Sequence, residues 1–237
     1  MKKGLLLASC FLLLASSTTY AQSVDLLWQG ETYASPFYKG RTLWSSQSRI
    51  TLVAIPHGLG NPSNLNYKWT KTGTILGNRN GVGKNNISFT DSVLSRPQTI
   101  KVEILPLEQG DILSSDRAVL ASASVNIAPI RPALIIYENN PLYGFMFHRE
   151  VGNTYKLETK EITFTAFPFF FIALDRMDTS LSYEWSTNAG GAGTRSSVTY
   201  RTPDDATGSS AIQVRAVNKD KITQSANKNF LIQYGNE

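Results

Sequence analysis

The chain has 237 residues, of which 41% are hydrophobic and 17% charged, with a formal net charge of +5 at neutral pH and a single cysteine. This basic excess is mild and no Lys/Arg run accompanies it, which excludes a nucleic-acid partner as the working expectation. A lone cysteine excludes a disulfide framework, so a fold built from this chain must be held by its core.

Met1-Lys2-Lys3 is a basic start, and Leu5 to Ala15 is an uninterrupted mostly apolar run. That run is too short to span a membrane, which takes roughly 20 apolar residues. Ser16 to Gln22 is small and polar, with Ala21 well suited to precede a cleavage point. Residues 1–21 therefore read as a cleaved signal peptide of the bacterial kind, and the mature protein is expected to be secreted, periplasmic or at the cell surface. Leu7-Ala8-Ser9-Cys10 spells a lipoprotein-type box. Processing there would leave a very short hydrophobic stretch before the cut and strand Phe11 to Leu14 on the mature end, so cleavage after Ala21 is the preferred reading. It removes Lys2, Lys3 and Cys10, which lowers the net charge by two and leaves neither thiolate metal ligands nor a Cys nucleophile.

The rest of the chain repeats itself. Leu65-Asn66-Tyr67-Lys68-Trp69 returns as Leu181-Ser182-Tyr183-Glu184-Trp185, with its flanks. A period of about 110 residues means two homologous domains rather than a solenoid of short units. The first copy is placed at 24–128 and the second at 133–237. Between them Pro129-Ile130-Arg131-Pro132 forms a short linker, stiff because each proline fixes its own φ and extends its predecessor.

Within each copy, strand follows strand. Arg49-Ile50-Thr51-Leu52-Val53-Ala54-Ile55-Pro56 matches Glu161-Ile162-Thr163-Phe164-Thr165-Ala166-Phe167-Pro168. Alternation of period two predicts half-buried strands with Ile50, Leu52 and Ala54 on one face. The Tyr-x-Trp strand follows, then a Gly-rich loop (Gly73 to Gly83, and Gly190 to Gly193), of which Gly77 to Lys84 reads as a flexible hairpin loop. Ile87-Ser88-Phe89-Thr90 answers to Val198-Thr199-Tyr200-Arg201, and Thr99 to Ile104 answers to Ala211 to Ala216. Many short strands, turn residues between them and no helical pattern predict an all-β chain of two tandem β-sandwich domains after the signal peptide.

A strand ending in Tyr-x-Trp, a Gly-rich turn and an Ile-x-Val strand resemble tandem immunoglobulin-like domains of bacterial surface proteins, with polycystic-kidney-disease (PKD)-like domains as the nearest comparison. The resemblance implies that Trp69 and Trp185 are core residues of a central strand. It departs from the family at the turn after the tryptophan, where Thr70-Lys71-Thr72-Gly73 and Ser186-Thr187-Asn188-Ala189 replace a Gly-Asp-Gly-type sequence.

Groups able to do chemistry are few. His57 lies in a Pro-His-Gly turn and His148 in a stretch found only in copy two, and neither accompanies a Gly-x-Ser-x-Gly elbow or a His-Glu-x-x-His metal motif. Asp175 with Asp178, and Asp204 with Asp205, could offer oxygen ligands to Ca²⁺. No denser acidic series supports them, and turn formation explains Pro203-Asp204-Asp205 as well. Gly77 to Lys84 lacks the Gly-Lys-Ser/Thr ending of a phosphate-binding loop. No cofactor and no catalytic residue is assigned.

What differs between the copies is the better guide to function. Phe167-Pro168-Phe169-Phe170-Phe171-Ile172 in copy two replaces the polar turn Ile55-Pro56-His57-Gly58-Leu59-Gly60. Consecutive apolar residues cannot all face inward from an alternating strand, so Phe169, Phe170 and Phe171 are either a docking patch or are covered by the extra segment His148 to Leu157. Trp44, aligned with Lys156, and Trp28, aligned with Tyr137, are candidates for stacking on a sugar, with packing at a strand edge as the alternative. Phe169, Phe170, Phe171, Trp44 and His148 are accordingly the candidate partner or ligand contacts. The expected function is a non-catalytic exported binding, adhesion or surface-assembly module with a protein or glycan partner. The alternatives are a structural spacer or accessory subunit of an envelope or pilus-type complex, and a carbohydrate-active hydrolase.

Overall fold

A computed structural model describes residues 21–107, 118–202, 204 and 206–235. The leader up to Tyr20, with Cys10, lies outside the described residues, as do Pro203 and Asp205. The described chain is all-β, with only two one-turn 3-10 helices at Pro62–Asn64 and Gly77–Arg79.

The first sandwich contains β1 (Ser23–Gly30), β2 (Arg49–His57), β3 (Asn66–Lys71), β4 (Thr74–Ile75), β5 (Gly81–Val82), β6 (Asn86–Thr90), β7 (Gln98–Leu105) and β8 (Ala121–Ile127). One sheet runs β1-β2-β6; the other runs β4-β3-β7-β8, with β5 also paired to β3. The second sandwich contains β9 (Ala133–Asn140), β10 (Gly144–Glu150), β11 (Thr154–Lys156), β12 (Glu161–Phe169), β13 (Leu181–Thr187), β14 (Gly190–Gly193), β15 (Ser197–Arg201), β16 (Gly208–Asn218) and β17 (Ser225–Tyr234). Its sheets run β10-β9-β12-β15 and β11-β17-β16-β13-β14. Two packed sheets per unit, antiparallel except where β11 runs parallel to β17, make these tandem immunoglobulin-like β-sandwiches.

The period-two pattern sets the cores. Ile50, Leu52 and Ala54 of β2 are buried, as are Ile162, Phe164 and Ala166 of β12. Tyr67 and Trp69, and in turn Tyr183 and Trp185, cover them from the opposite sheet. Each fully buried side chain of this size contributes about 1.5–3 kcal/mol.

The two copies agree in register. Leu52 pairs with Ile87 and Trp69 with Val102, while Phe164 pairs with Val198 and Trp185 with Val214. The indole N–H of Trp69 donates to the carbonyl of Lys84, and that of Trp185 to the carbonyl of Arg195, both at 2.8 Å. The Tyr67 and Tyr183 hydroxyls donate to the carbonyls of Pro62 and Arg176. A large aromatic can be buried whole only when its polar atom finds a partner, and each copy supplies one from the same kind of loop.

Two sequence expectations need correcting. The stretch Gly77 to Lys84 is not a flexible hairpin loop: it folds into a 3-10 turn and β5, and the Asn80 carboxamide oxygen accepts the Trp69 backbone N–H at 2.7 Å. Trp28 corresponds to Glu138 rather than Tyr137, because Leu52 faces Trp28 and its counterpart Phe164 faces Glu138. One residue of slip moves a side chain to the other face of a strand. Trp28 accordingly packs against the core of the first sandwich, whereas the Tyr137 ring joins aromatics on the outside of β12.

Candidate interdomain site

The connection between the first two strands behaves differently in the two copies. In the second sandwich it turns back on its own domain as β10, antiparallel to β9, and β11, parallel to β17. In the first sandwich the connection, residues 31–48, leaves its own sheets and crosses to the second sandwich. It returns at Trp44 and Ser45, where Ser45 bridges in parallel to Ile130 of the linker. Trp44 then enters the core with no exposed surface, its indole N–H donating to the Ser48 carbonyl at 3.2 Å. Trp44 is therefore a core residue and offers no face for a sugar.

What the crossing segment meets is the phenylalanine run. Alternation along β12 leaves Phe167 and Phe169 on the outer face. Phe167 lies under Phe145, Phe147 and Tyr137, with ring centroids 5.2–5.6 Å away. At Phe170 the backbone turns left-handed, with φ +62°. That resets the alternation, so Phe171 points into the core of the second sandwich with no exposed surface. Phe169 is buried as well, and Phe170 is half-buried. Tyr38 of the crossing segment meets both Phe169 and Phe170 edge-on, at 5.7 and 5.8 Å. The expectation of a free patch, or of one covered by His148 to Leu157, is corrected: the first sandwich covers Phe169 and Phe170, and the kink buries Phe171. His148 stands apart, exposed on β10.

Backbone and side-chain hydrogen bonds fix the contact. Tyr33 N–H donates to Phe171 O at 2.8 Å, and Phe170 N–H donates to Tyr33 O at 2.6 Å. The Ser45 hydroxyl donates to Phe170 O at 2.8 Å. From the β16–β17 turn, the fully buried Gln224 amide donates to Ser45 Oγ at 2.9 Å and to Ser46 O at 2.7 Å, while its carbonyl accepts Ile172 N–H at 3.0 Å. Gln47, also left-handed with φ +66°, accepts from the Thr223 hydroxyl at 2.8 Å and from the Thr223 N–H at 3.2 Å. Left-handed backbone at a non-glycine residue costs about 1–3 kcal/mol and persists only where surrounding contacts enforce it. Both Gln47 and Phe170 meet that condition at this joint. Tyr33, Tyr38, Gln47, Thr223 and Gln224 carry no motif; the long stretch 31–48 without strand alternation marks the segment that holds the first three, and nothing marks Thr223 and Gln224.

Beside the joint lies a cleft of about 890 Å³ with walls from both sandwiches, lined among others by Tyr33, Tyr38, Asp178, Asn218 and Asp220. Burial raises the Tyr33 hydroxyl pKa above its ordinary value; Arg176 works against this and Asp175 with it. Asp178 is held below the usual carboxylate range by the backbone N–H groups of Leu174 and Ser180, so it stays ionised as the anchor of its loop. Asp175 is committed likewise, accepting Met177 N–H at 2.6 Å, and Asp204 pairs with Lys160 at 2.6 Å. These acids build turns. Among the described residues no three His, Cys, Asp or Glu side chains converge, and no helix is long and apolar enough to cross a membrane.

No family model matches the chain, and no curated protein matches it. Among solved structures it is similar to the three N-terminal domains of the bacteriophage RB49 highly immunogenic outer capsid protein, at 16% identity and a TM-score of 0.40, covering 90% of this chain and 59% of that one. Sidekick-1 immunoglobulin domains 1–4 match at 12% identity and a TM-score of 0.30, covering 93% and 51%. The central fibronectin-III array of RIM-binding protein matches at 13% and 0.26, covering 83% and 68%. The chain thus spans 59% of the first of these, and the likeness extends to fold alone.

Proposed function

We propose that this is an exported, non-catalytic protein whose two immunoglobulin-like domains, of PKD-like kind, act as one rigid binding or surface-assembly module. The observation that carries this reading is the joint. Gln224, Ser45, Gln47 and Thr223 form a largely buried polar network between the sandwiches, beside aromatic packing of Tyr38 on Phe169 and Phe170. A buried polar network specifies one arrangement, since any other leaves its members unpaired. Rigid tandem domains hold a surface composed from both in a fixed geometry, which favours binding by lowering its entropic cost.

The binding reading is preferred to the plain spacer because the phenylalanine run, the natural docking surface for a spacer or accessory subunit, is used up within the chain. A hydrolase needs a free pair of carboxylates or a nucleophile with its base. At the cleft Asp178 is committed to backbone N–H groups and Glu31 to Arg49 at 3.2 Å, which supports a non-catalytic role.

The reading is tested by small-angle scattering of the secreted protein, with and without Gln224→Ala. One fixed domain arrangement for the wild type, loosened in the variant, supports it. A wild-type curve that requires freely reorienting domains sinks it. N-terminal sequencing of the exported protein tests the cut after Ala21.

A further inference from the structure

The cleft between the sandwiches is, we propose, a binding site for a neutral oligosaccharide; this deepens, and rests on, the reading of the protein as a rigid binding module. The chemistry that the walls present disfavours the other ligand classes in turn. At about 890 Å³ the cleft lies toward the large end of the range for small-ligand sites. Apart from the two tyrosine rings, its apolar side chains are Ala34, Ile172, Ala173 and Leu174, interspersed with polar groups and forming no continuous apolar channel for a lipid chain. Lys221 is the only basic residue among the described lining residues, which also include Asp178, Asp220 and Glu31, the last paired with Arg49, so the walls offer no cluster of cations for a phosphate or another anion.

A peptide adding as a β-strand would need free backbone groups, and that wall has few to give. Ile172 N–H donates to Gln224, Ile172 O accepts from Asn218 Nδ2 at 2.7 Å, and Leu174 N–H donates to Asp178 at 2.8 Å. The groups left over are side chains. Among the described residues, the hydroxyls of Tyr33 and Tyr38, the Gln29 amide, the Asp220 carboxylate and the Lys221 ammonium enter no side-chain hydrogen bond or ion pair.

This leaves an interspersed set of donors and acceptors next to two tyrosine rings, Tyr38 keeping 37% of its surface exposed. Such a set matches a ligand that is uncharged, rich in hydroxyls and apolar on its C–H faces. Backbone hydrogen bonds to Phe170 and Phe171 hold Tyr33, and ring contacts with Phe169 and Phe170 hold Tyr38, so the site is formed before the ligand arrives.

The test titrates the full mature protein with cellohexaose, chitohexaose, mannohexaose and maltohexaose, read by calorimetry and by NMR shifts. Two variants accompany it: Tyr38→Ala, and Asp220→Asn, which sits on the β16–β17 turn away from the ring contacts of the joint. Binding of at least one sugar at submillimolar affinity, weakened tenfold or more by either variant, is the expected result. Absence of binding to all four, or binding unchanged in both variants, overturns the proposal. Scattering on the same samples separates the two levels: a fixed domain arrangement without sugar binding overturns the oligosaccharide site alone, and freely moving domains overturn the module reading with it.

Discussion

The Gln224 side-chain amide donates to Ser45 Oγ over 2.9 Å, a buried hydrogen bond between residues 179 positions apart in the chain. It joins the last hairpin of the second sandwich to the end of the crossing segment of the first. Ser45 in turn donates to Phe170 O, so one serine ties together the hairpin, the left-handed kink and the linker bridge at Ile130. Replacing Gln224 by Leu keeps most of the volume and removes the bonds to Ser45, Ser46 and Ile172. Each buried group left unpaired costs about 1–3 kcal/mol, so the variant is expected to lose roughly 2–5 kcal/mol of interdomain stability. Denaturant unfolding that is a single transition in the wild type should split in two. An unchanged single transition would contradict the lock.

Trp44 separates a core role from a ligand role. It is fully buried, donates to Ser48 O and meets Phe89 at 6.5 Å. Trp44→Ala is expected to cost about 3–5 kcal/mol through the cavity it leaves. Trp44→Phe, smaller but apolar, should recover part of that while leaving the indole's carbonyl partner unpaired. If both variants kept wild-type stability and only ligand binding fell, the assignment to the core would be wrong.

The repeat made the fold legible. Matching Ile50 with Ile162 and Trp69 with Trp185 placed the core faces and the strand that carries each tryptophan, because burial on one face imposes a period of two whatever the neighbours. The site was legible only as a difference. The phenylalanine run stood out since alternation could not bury it, but its cover was not readable: a left-handed φ at Phe170 is a conformational event with no glycine to announce it. Tyr38 and Gln224 were invisible for a related reason. Their partners lie in the other domain, and no local period encodes a contact of that range. The one-residue slip from Glu138 to Tyr137 as the counterpart of Trp28 has the opposite cause, since aligning aromatic with aromatic by type runs against the register.

Gly30 marks where the crossing segment departs from β1. A Cβ there would lie 2.4 Å from the Leu43 carbonyl oxygen and 2.7 Å from the Trp44 backbone nitrogen, both backbone atoms with nowhere to move. The close approach lets Gly30 N–H donate to Thr42 O at 2.8 Å, and the Thr42 hydroxyl to Gly30 O at 2.6 Å. Gly30→Ala should therefore push residues 42–44 outward, with a cost of about 1–3 kcal/mol typical of overpacking, and displace Trp44 from its slot. Thermal unfolding together with tryptophan fluorescence reads both effects. Wild-type values for the two would show that the segment has slack.

Glu103 provides the acid-sensitive contact of the first sandwich. Burial alone would raise its pKa, but Lys101 and Lys68 outweigh burial and the pKa is lowered below its ordinary value of 4.5. Lys101 Nζ lies 2.6 Å and Lys68 Nζ 3.3 Å from the two carboxylate oxygens, joining β3 to β7 across the outer face of the sheet. Because the folded-state value lies below the unfolded one, the stabilisation is complete above the unfolded pKa and is lost as pH falls through the folded pKa. The difference in unfolding free energy between wild type and Glu103→Gln should therefore be roughly 1 kcal/mol near neutral pH, where Lys101 remains partly solvated, and vanish in acid. Added salt should shrink it at neutral pH, since screening weakens partly exposed pairs. A difference that persists unchanged below the carboxylate range would show that Glu103 acts through packing instead of charge.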